Sequence, residues 1–306
     1  MRARMVFGQK AQVRWHIMKK RILTGTGIVI LLVGLFLAKI FWTAPIFGVA
    51  GGVLLFNFAL FVMAELGTVE MVRALGERMN KKEKTVALTF PAVSFAIASF
   101  GRMAFIFTVL VIFVLLTMGL LVFAFKNSTI ESVGLTLVCI FYPSVFLLTL
   151  VAVNTVAPFE ALLLVFVTAP FCDVAAFFVG SALKGKKLCP EISPNKTISG
   201  AIGGIIGGII GGVAVYFGMK WFYYTPVCFG PGWADALTFA LVGAVFAALT
   251  ELGDLAESTV KRKLGIKDMG DILPGHGGIM DRIDGLLFVA PVAAVIFCVL
   301  LPALII

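Results

Sequence analysis

Gly253-Asp254-Leu255-Ala256-Glu257-Ser258-Thr259-Val260-Lys261-Arg262-Lys263-Leu264-Gly265-Ile266-Lys267-Asp268, running on through Leu273-Pro274-Gly275-His276-Gly277-Gly278 to Asp281-Arg282-Ile283-Asp284, decides how this chain is read. It places about a dozen ionisable residues between two strongly apolar segments, 236–250 and 285–306. A carboxylate-bearing helix end leads to a basic cluster, then a Gly/His turn, then two acids one helical turn apart. That order suits a metal ion and a polyphosphate held at a membrane surface.

Working outward, the chain of 306 residues is 60% apolar and only 13% charged, far from the range of water-soluble domains. It reads as an all-α polytopic membrane protein built as one bundle. The net charge of +9 does not point to nucleic acid, because the basic residues are not interleaved with aromatics on a polar face. Five scattered cysteines (Cys139, Cys172, Cys189, Cys228, Cys298) contain no Cys-x-x-Cys pair, so neither a zinc site nor a disulfide framework follows.

A membrane span needs about 20 mostly apolar residues. On that ruler nine helices are predicted near 24–41, 45–65, 85–100, 103–125, 133–153, 158–183, 198–219, 236–252 and 285–306. The third is short and contains Pro91. Residues 1–23 form a basic N-terminal segment, read as interfacial. Residues 24–183 hold the first six spans, and 184–306 form a catalytic region with the signature at 254–284. Lys and Arg concentrate on the cytoplasmic side of membrane proteins. With the N-terminus inside, 22 of the 25 basic residues fall inside and only Lys39, Arg102 and Lys220 outside. The signature is thus expected to face the cytoplasm.

Three further stretches carry weight. The segment from Glu65 to Glu83 reads as a solvated helical extension with salt-bridged faces. Asp173, inside an apolar run, costs about 2.5–3.5 kcal/mol on insertion scales and so is expected to face a polar cavity and to function there. Glycines at 200, 204, 208 and 212, with a second row at 203, 207 and 211, make a helix face for close packing rather than a nucleotide loop.

On a helix continuing past residue 252, Glu251, Asp254, Ser258 and Lys261 fall at steps of three, four and three and make one polar stripe. Asp281 and Asp284 share a face of the last span. If the glycine-rich turn folds back, Asp254 and Asp281 can share a cation, and oxygen-only ligation suits Mg²⁺. An ion pair of Asp281 or Asp254 with Lys261 or Arg282 is the alternative.

The pattern Ser258-x-x-Lys261-Arg262-x4-Lys267-Asp268, followed by Pro274-x-His276-Gly277-Gly278-x-x-Asp281-Arg282-x-Asp284, resembles the signature of the phosphatidate cytidylyltransferases (CDP-diacylglycerol synthases). Ser193-Pro194-Asn195-Lys196-Thr197-x-x-Gly200 resembles that family's second motif. The resemblance implies transfer of a cytidylyl group from CTP to phosphatidic acid, giving CDP-diacylglycerol and pyrophosphate, in the bilayer (the inner membrane of a bacterium). It implies catalytic roles for Asp254, Asp281, Lys267, Asp268 and His276. It implies substrate contacts from Ser193, Lys196, Thr197, Ser258, Lys261, Arg262, Gly277, Gly278 and Arg282. Metal ligation is assigned to Asp254, Asp281, Asp173 and Asp284, with Mg²⁺ as cofactor and a second cation and a homodimer left open. A CTP-dependent lipid kinase and a membrane transporter are the rival readings.

Overall fold

The computed structural model describes residues 2–100, 103–222 and 232–301, with side chains from residue 18 onward. Arg102, Cys228 and the side chains of Arg2, Arg4, Lys10 and Arg14 lie outside the described residues. The elements are α1 (Arg2–Phe41), a hairpin of β1 (Pro45–Ile46) and β2 (Val49–Ala50), α2 (Gly51–Leu75), α3 (Lys81–Ser99) and α4 (Ile106–Phe123). Then come α5 (Ile130–Cys139), a π-helical turn (Ile140–Val145), α6 (Phe146–Val156), α7 (Phe159–Leu183) and a second hairpin, β3 (Lys187–Cys189) and β4 (Ser193–Thr197). The chain closes with α8 (Ile198–Trp221), α9 (Gly232–Leu264) and α10 (Met280–Ala294), the last extended by a second π turn.

Among the described residues, eight helical segments are long and apolar enough to cross a bilayer, so the protein is an all-α polytopic membrane protein. α5, the π turn and α6 make one of these, Ile130–Val156. Pro143 lacks an N–H, and the helix absorbs that loss by widening locally instead of ending. The third expected span differs from the other eight. α3 opens with Lys81, Lys82, Glu83 and Lys84, too many charges for an apolar span. It nonetheless runs the length of the bundle. Its cap Asn80 bonds Ser128 Oγ at 2.9 Å, just before α5, while Phe100 beyond its last turn packs on Phe47 of the first hairpin.

Long-range contacts fix which ends lie together. Thr24 Oγ1 of α1 donates to Pro274 O at 3.1 Å, so the start of the first span lies at the signature end. At the opposite end Lys39 donates to Asn154 Oδ1 at 2.7 Å, and Asn154 Nδ2 donates to Asn57 Oδ1 at 2.8 Å, tying α1, α6 and α2.

The glycine rows of α8 are a packing device: the 203, 207 and 211 row packs on α7, and the other row passes from α7 at Gly200 to α9 at Gly208 and Gly212. A Cβ at Gly203 would sit 2.5 Å from Val179 Cβ of α7, and one at Gly208 would sit 2.5 Å from Gly243 O of α9. Close backbone approach on both sides draws α7, α8 and α9 into one layer. α10 crosses α9 equally closely: a Cβ at Gly253 would lie 2.9 Å from Gly285 Cα. That crossing puts Asp254 and Glu257 on one side of a narrow seam and Asp281 and Asp284 on the other.

Candidate functional site

α9 continues to Leu264, and Glu251, Asp254, Ser258 and Lys261 do line one face of it. Two lysines meet that face at different heights. Lys196, at the end of β4, bonds Glu251 and reaches Asp254 Oδ2 at 2.8 Å. Its segment is a strand paired with β3, and the pairing aims the ammonium at α9. Burial opposes the Lys196 charge, but Asp254 and Glu251 outweigh it and raise its pKa above 10.5. Lys261 is buried and donates 2.7 Å bonds to Glu257 Oε2 and to Asp281 Oδ1. The ion pair set out above as the alternative for Asp281 is therefore present. Its other oxygen accepts from Met269 N at 3.0 Å and Gly278 N at 2.8 Å.

The remaining motif residues divide by position. Thr197 Oγ1 caps α8, accepting from Gly200 N at 3.1 Å, and Ser258 Oγ donates to Asp254 Oδ1 at 3.3 Å. Ser193 opens β4 and is half-buried. Arg262 turns to Ile192 O and Ile266 O. Asp284 accepts from Gly285 N and lies within electrostatic reach of Glu257 and Asp254. Gly277, at φ +81°, accepts from Leu273 N in the turn.

Two cavities flank this core. The first, about 560 Å³, opens at the signature end between Arg21, Lys267, Asp268, Asp271, His276 and Arg282. The second, about 710 Å³, lies between α7, the second hairpin, α8 and α9. Asp173, Lys196, Glu251 and Asp254 supply its polar side, Ala176, Phe177 and Ala201 its apolar one. Arg282 lines the first cavity, and its charge also reaches Asp173 in the second. Burial, with the Arg282 and Arg21 charges, lowers the His276 pKa, keeping the imidazole neutral at neutral pH.

The 65–83 segment, expected to be solvated and salt-bridged, buries both Glu70 and Glu83 with no ion pair among the described residues, and Glu70 bears on the site. Far from solvated, it is 1% exposed. Its two oxygens accept from Ile279 N and Met280 N, each at 2.9 Å, at the start of α10. A free helix N-terminus favours an anion, and here a carboxylate from α2 fills that role. A Cβ on Gly278 would collide with that carboxylate, so Gly278 is required for the approach. The sequence carries no signal for this, since nothing local names a partner 209 residues away.

Hard oxygen donors for a cation are present on both sides of the α9–α10 seam. Glu257 Oε1 and Tyr142 Oη are buried with no hydrogen-bond partner, and Tyr142 lies within the field of Glu257, Asp284 and Asp254. Among the described residues no three acidic, His or Cys side chains converge as a ready-made ligand set. Lysines neutralise Asp254 and Asp281 instead, so a divalent ion would compete with an ammonium there.

Comparison with known proteins extends this picture. Residues 19–300 match the model of the Cytidylyltransferase family. A phosphatidate cytidylyltransferase of Brucella suis is 39% identical over 132 residues, 43% of this chain and 44% of that relative. The Bacillus subtilis phosphatidate cytidylyltransferase is 42% identical over 119 residues, 39% of this chain and 40% of its own length. For that of Aquifex aeolicus the identity is 31% over 187 residues, covering 61% of this chain and 66% of the relative. The chain thus spans under half the length of the first two curated relatives.

Proposed function

Because this chain belongs to the cytidylyltransferase family, we propose that it transfers the cytidylyl group of CTP to phosphatidic acid, forming CDP-diacylglycerol and releasing pyrophosphate. The relatives carry that activity in their names. The observation that carries the reading here is the pair of cavities flanking the α9 carboxylates, one polar at the bundle end and lined by Arg282, the other with an apolar wall and with Asp173 within reach of the Arg282 charge. A nucleotide suits the first. A phosphate on a two-tailed lipid suits the second, its head towards Lys196 and its chains along Phe177 and into the bilayer.

A lipid phosphate oxygen attacks the α-phosphorus, a new P–O bond forms, and the bond from that phosphorus to the bridging oxygen breaks. A phosphate monoester, with its second pKa near about 6, is largely ionised at neutral pH, so no strong general base is needed. What the protein must supply is position and positive charge. Lys196 orients and neutralises the attacking phosphate, and Asp254 and Glu251 hold its ammonium in place. Lys267 and Arg282 face the leaving pyrophosphate, and neutral His276 hydrogen-bonds it. For Asp254, Asp281 and Asp284 to hold Mg²⁺, with Asp173 at its margin, Lys196 and Lys261 would have to yield the carboxylates they neutralise; the ion would supply charge neutralisation of the phosphates. The reaction end faces the cytoplasm in this reading, because basic residues gather there and nucleotides are there.

The test is the product released from labelled CTP by the purified chain with phosphatidic acid. Pyrophosphate and a cytidylyl-lipid are expected. Release of CDP with a newly phosphorylated lipid would make the protein a CTP-dependent lipid kinase and overturn the proposal. Uptake into liposomes without turnover would make it a transporter.

A further inference from the structure

Arg21 lies 254 residues from the Pro274–His276 turn in sequence, yet the two are in contact. Its Nε donates to Gly275 O at 3.0 Å. Arg282 makes the same kind of bond to the next carbonyl, Nε to His276 O at 3.1 Å. Two guanidiniums are therefore anchored through their inner nitrogens to adjacent carbonyls of one turn. Both line the same cavity, and the charge of each reaches His276 between them. Neither belongs to an ion pair among the described residues.

Two like charges held on one turn repel each other unless an anion lies between them. Anchoring through Nε leaves the two terminal nitrogens of each fork free to face the cavity, the geometry that binds phosphate oxygens in pairs. The contact is built, not incidental. Gly275 has φ +80°, and a Cβ there would meet Arg21 Cγ at 3.1 Å, so glycine makes room for the arginine. Thr24 adds a second bond from α1 to Pro274 O, and a Cβ at Gly25 would be 3.8 Å from the His276 ring.

We propose that Arg21, supplied by the N-terminal helix, is a substrate-binding residue that pairs with Arg282 as a two-guanidinium clamp on the polyphosphate of the nucleotide. This rests on the reading of the first cavity as the nucleotide site. The basic segment before the first span then has a place in the chemistry and is more than a membrane-surface anchor.

The experiment uses the full chain in detergent micelles containing phosphatidic acid, with CTP and lipid varied separately. Arg21→Ala is expected to raise KM for CTP about tenfold or more, with KM for the lipid unchanged. Arg21→Lys should recover only part of that loss, because a point charge replaces a fork. Thr24→Val, which removes the neighbouring clasp but no charge, should leave KM for CTP near wild type. An unchanged KM for CTP in Arg21→Ala would overturn the clamp. So would equal KM shifts in Arg21→Ala and Thr24→Val, since that result marks a clasp alone. If the wild-type chain forms no cytidylyl-lipid, equilibrium binding of labelled CTP decides separately. A wild-type Kd that weakens in Arg21→Ala keeps the clamp while the proposed reaction falls; an unaltered Kd, or no binding by either protein, removes the clamp.

Discussion

Two lysine–carboxylate clusters sit on α9, about two turns apart, and they are built for different ends. Lys261 holds Glu257 and Asp281, with side-chain exposures of 10%, 0% and 5%. Lys196 holds Glu251 and Asp254, with side-chain exposures of 20%, 12% and 39%, and Asp254 lines a cavity. The first joins α9 to α10 within the protein. The second brings a strand against α9 at the wall of a pocket. Removing one member of a buried pair leaves an uncompensated charge, whereas a pair open on one side to a cavity contributes less to stability and can exchange partners. The same chemistry therefore acts as a fastener in one place and, on the function proposed above, as a receptor in the other.

The contrast can be broken most directly at Lys261. Lys261→Met should destabilise the folded protein by about 3–5 kcal/mol, because the Glu257 and Asp281 carboxylates are left without their cation. Thermal unfolding in detergent would read this, and wild-type stability in that variant would end the fastener interpretation. Glu70 sharpens the comparison, since it is a buried carboxylate satisfied by N–H groups instead of an ammonium. Glu70→Gln should cost about 1–3 kcal/mol and loosen the 278–281 segment. Greater proteolysis or amide exchange at that turn would show it, and unaltered exchange would mean the cap is dispensable.

At Lys196 the expected change in stability is smaller still. Lys196→Ala should alter it by no more than about 1 kcal/mol, while turnover falls on the order of a hundredfold. A variant that unfolds, or one that turns over normally, would erase the distinction between the clusters. The pH dependence follows from the raised Lys196 pKa. Its stabilising contribution is fully present below 10.5 and is lost as pH rises through the higher folded value. The small stability gap between wild type and Lys196→Ala should thus stay constant from neutrality to 10.5 and close only above it, as melting curves across that range would show.

Much of this architecture was legible because it is local. An apolar run of about 20 residues announces a span without reference to anything distant. Spacings of three and four put Glu251, Asp254, Ser258 and Lys261 on one face of α9 whatever else the chain does. The glycine rows of α8 announced close packing in the same way. α3 was legible as a helix, and only its charged first turn sets it apart from the other spans.

The sequence by itself determined a polytopic helical bundle, the polar stripe of α9 and the signature that marks the family, because periodicity and motif spacing are properties of neighbouring residues. Tertiary structure alone decided who partners whom. Glu70 reaches across 209 residues to cap α10, and Arg21 crosses 254 to the glycine turn. Asp281 meets Lys261, while Asp254 meets Lys196 from a strand. These choices depend on where Gly253 and Gly285 let two helices cross and on which way a hairpin turns its last residues. The free energy of a charge is set by the groups folding brings within a few ångströms, and chain order does not encode that distance.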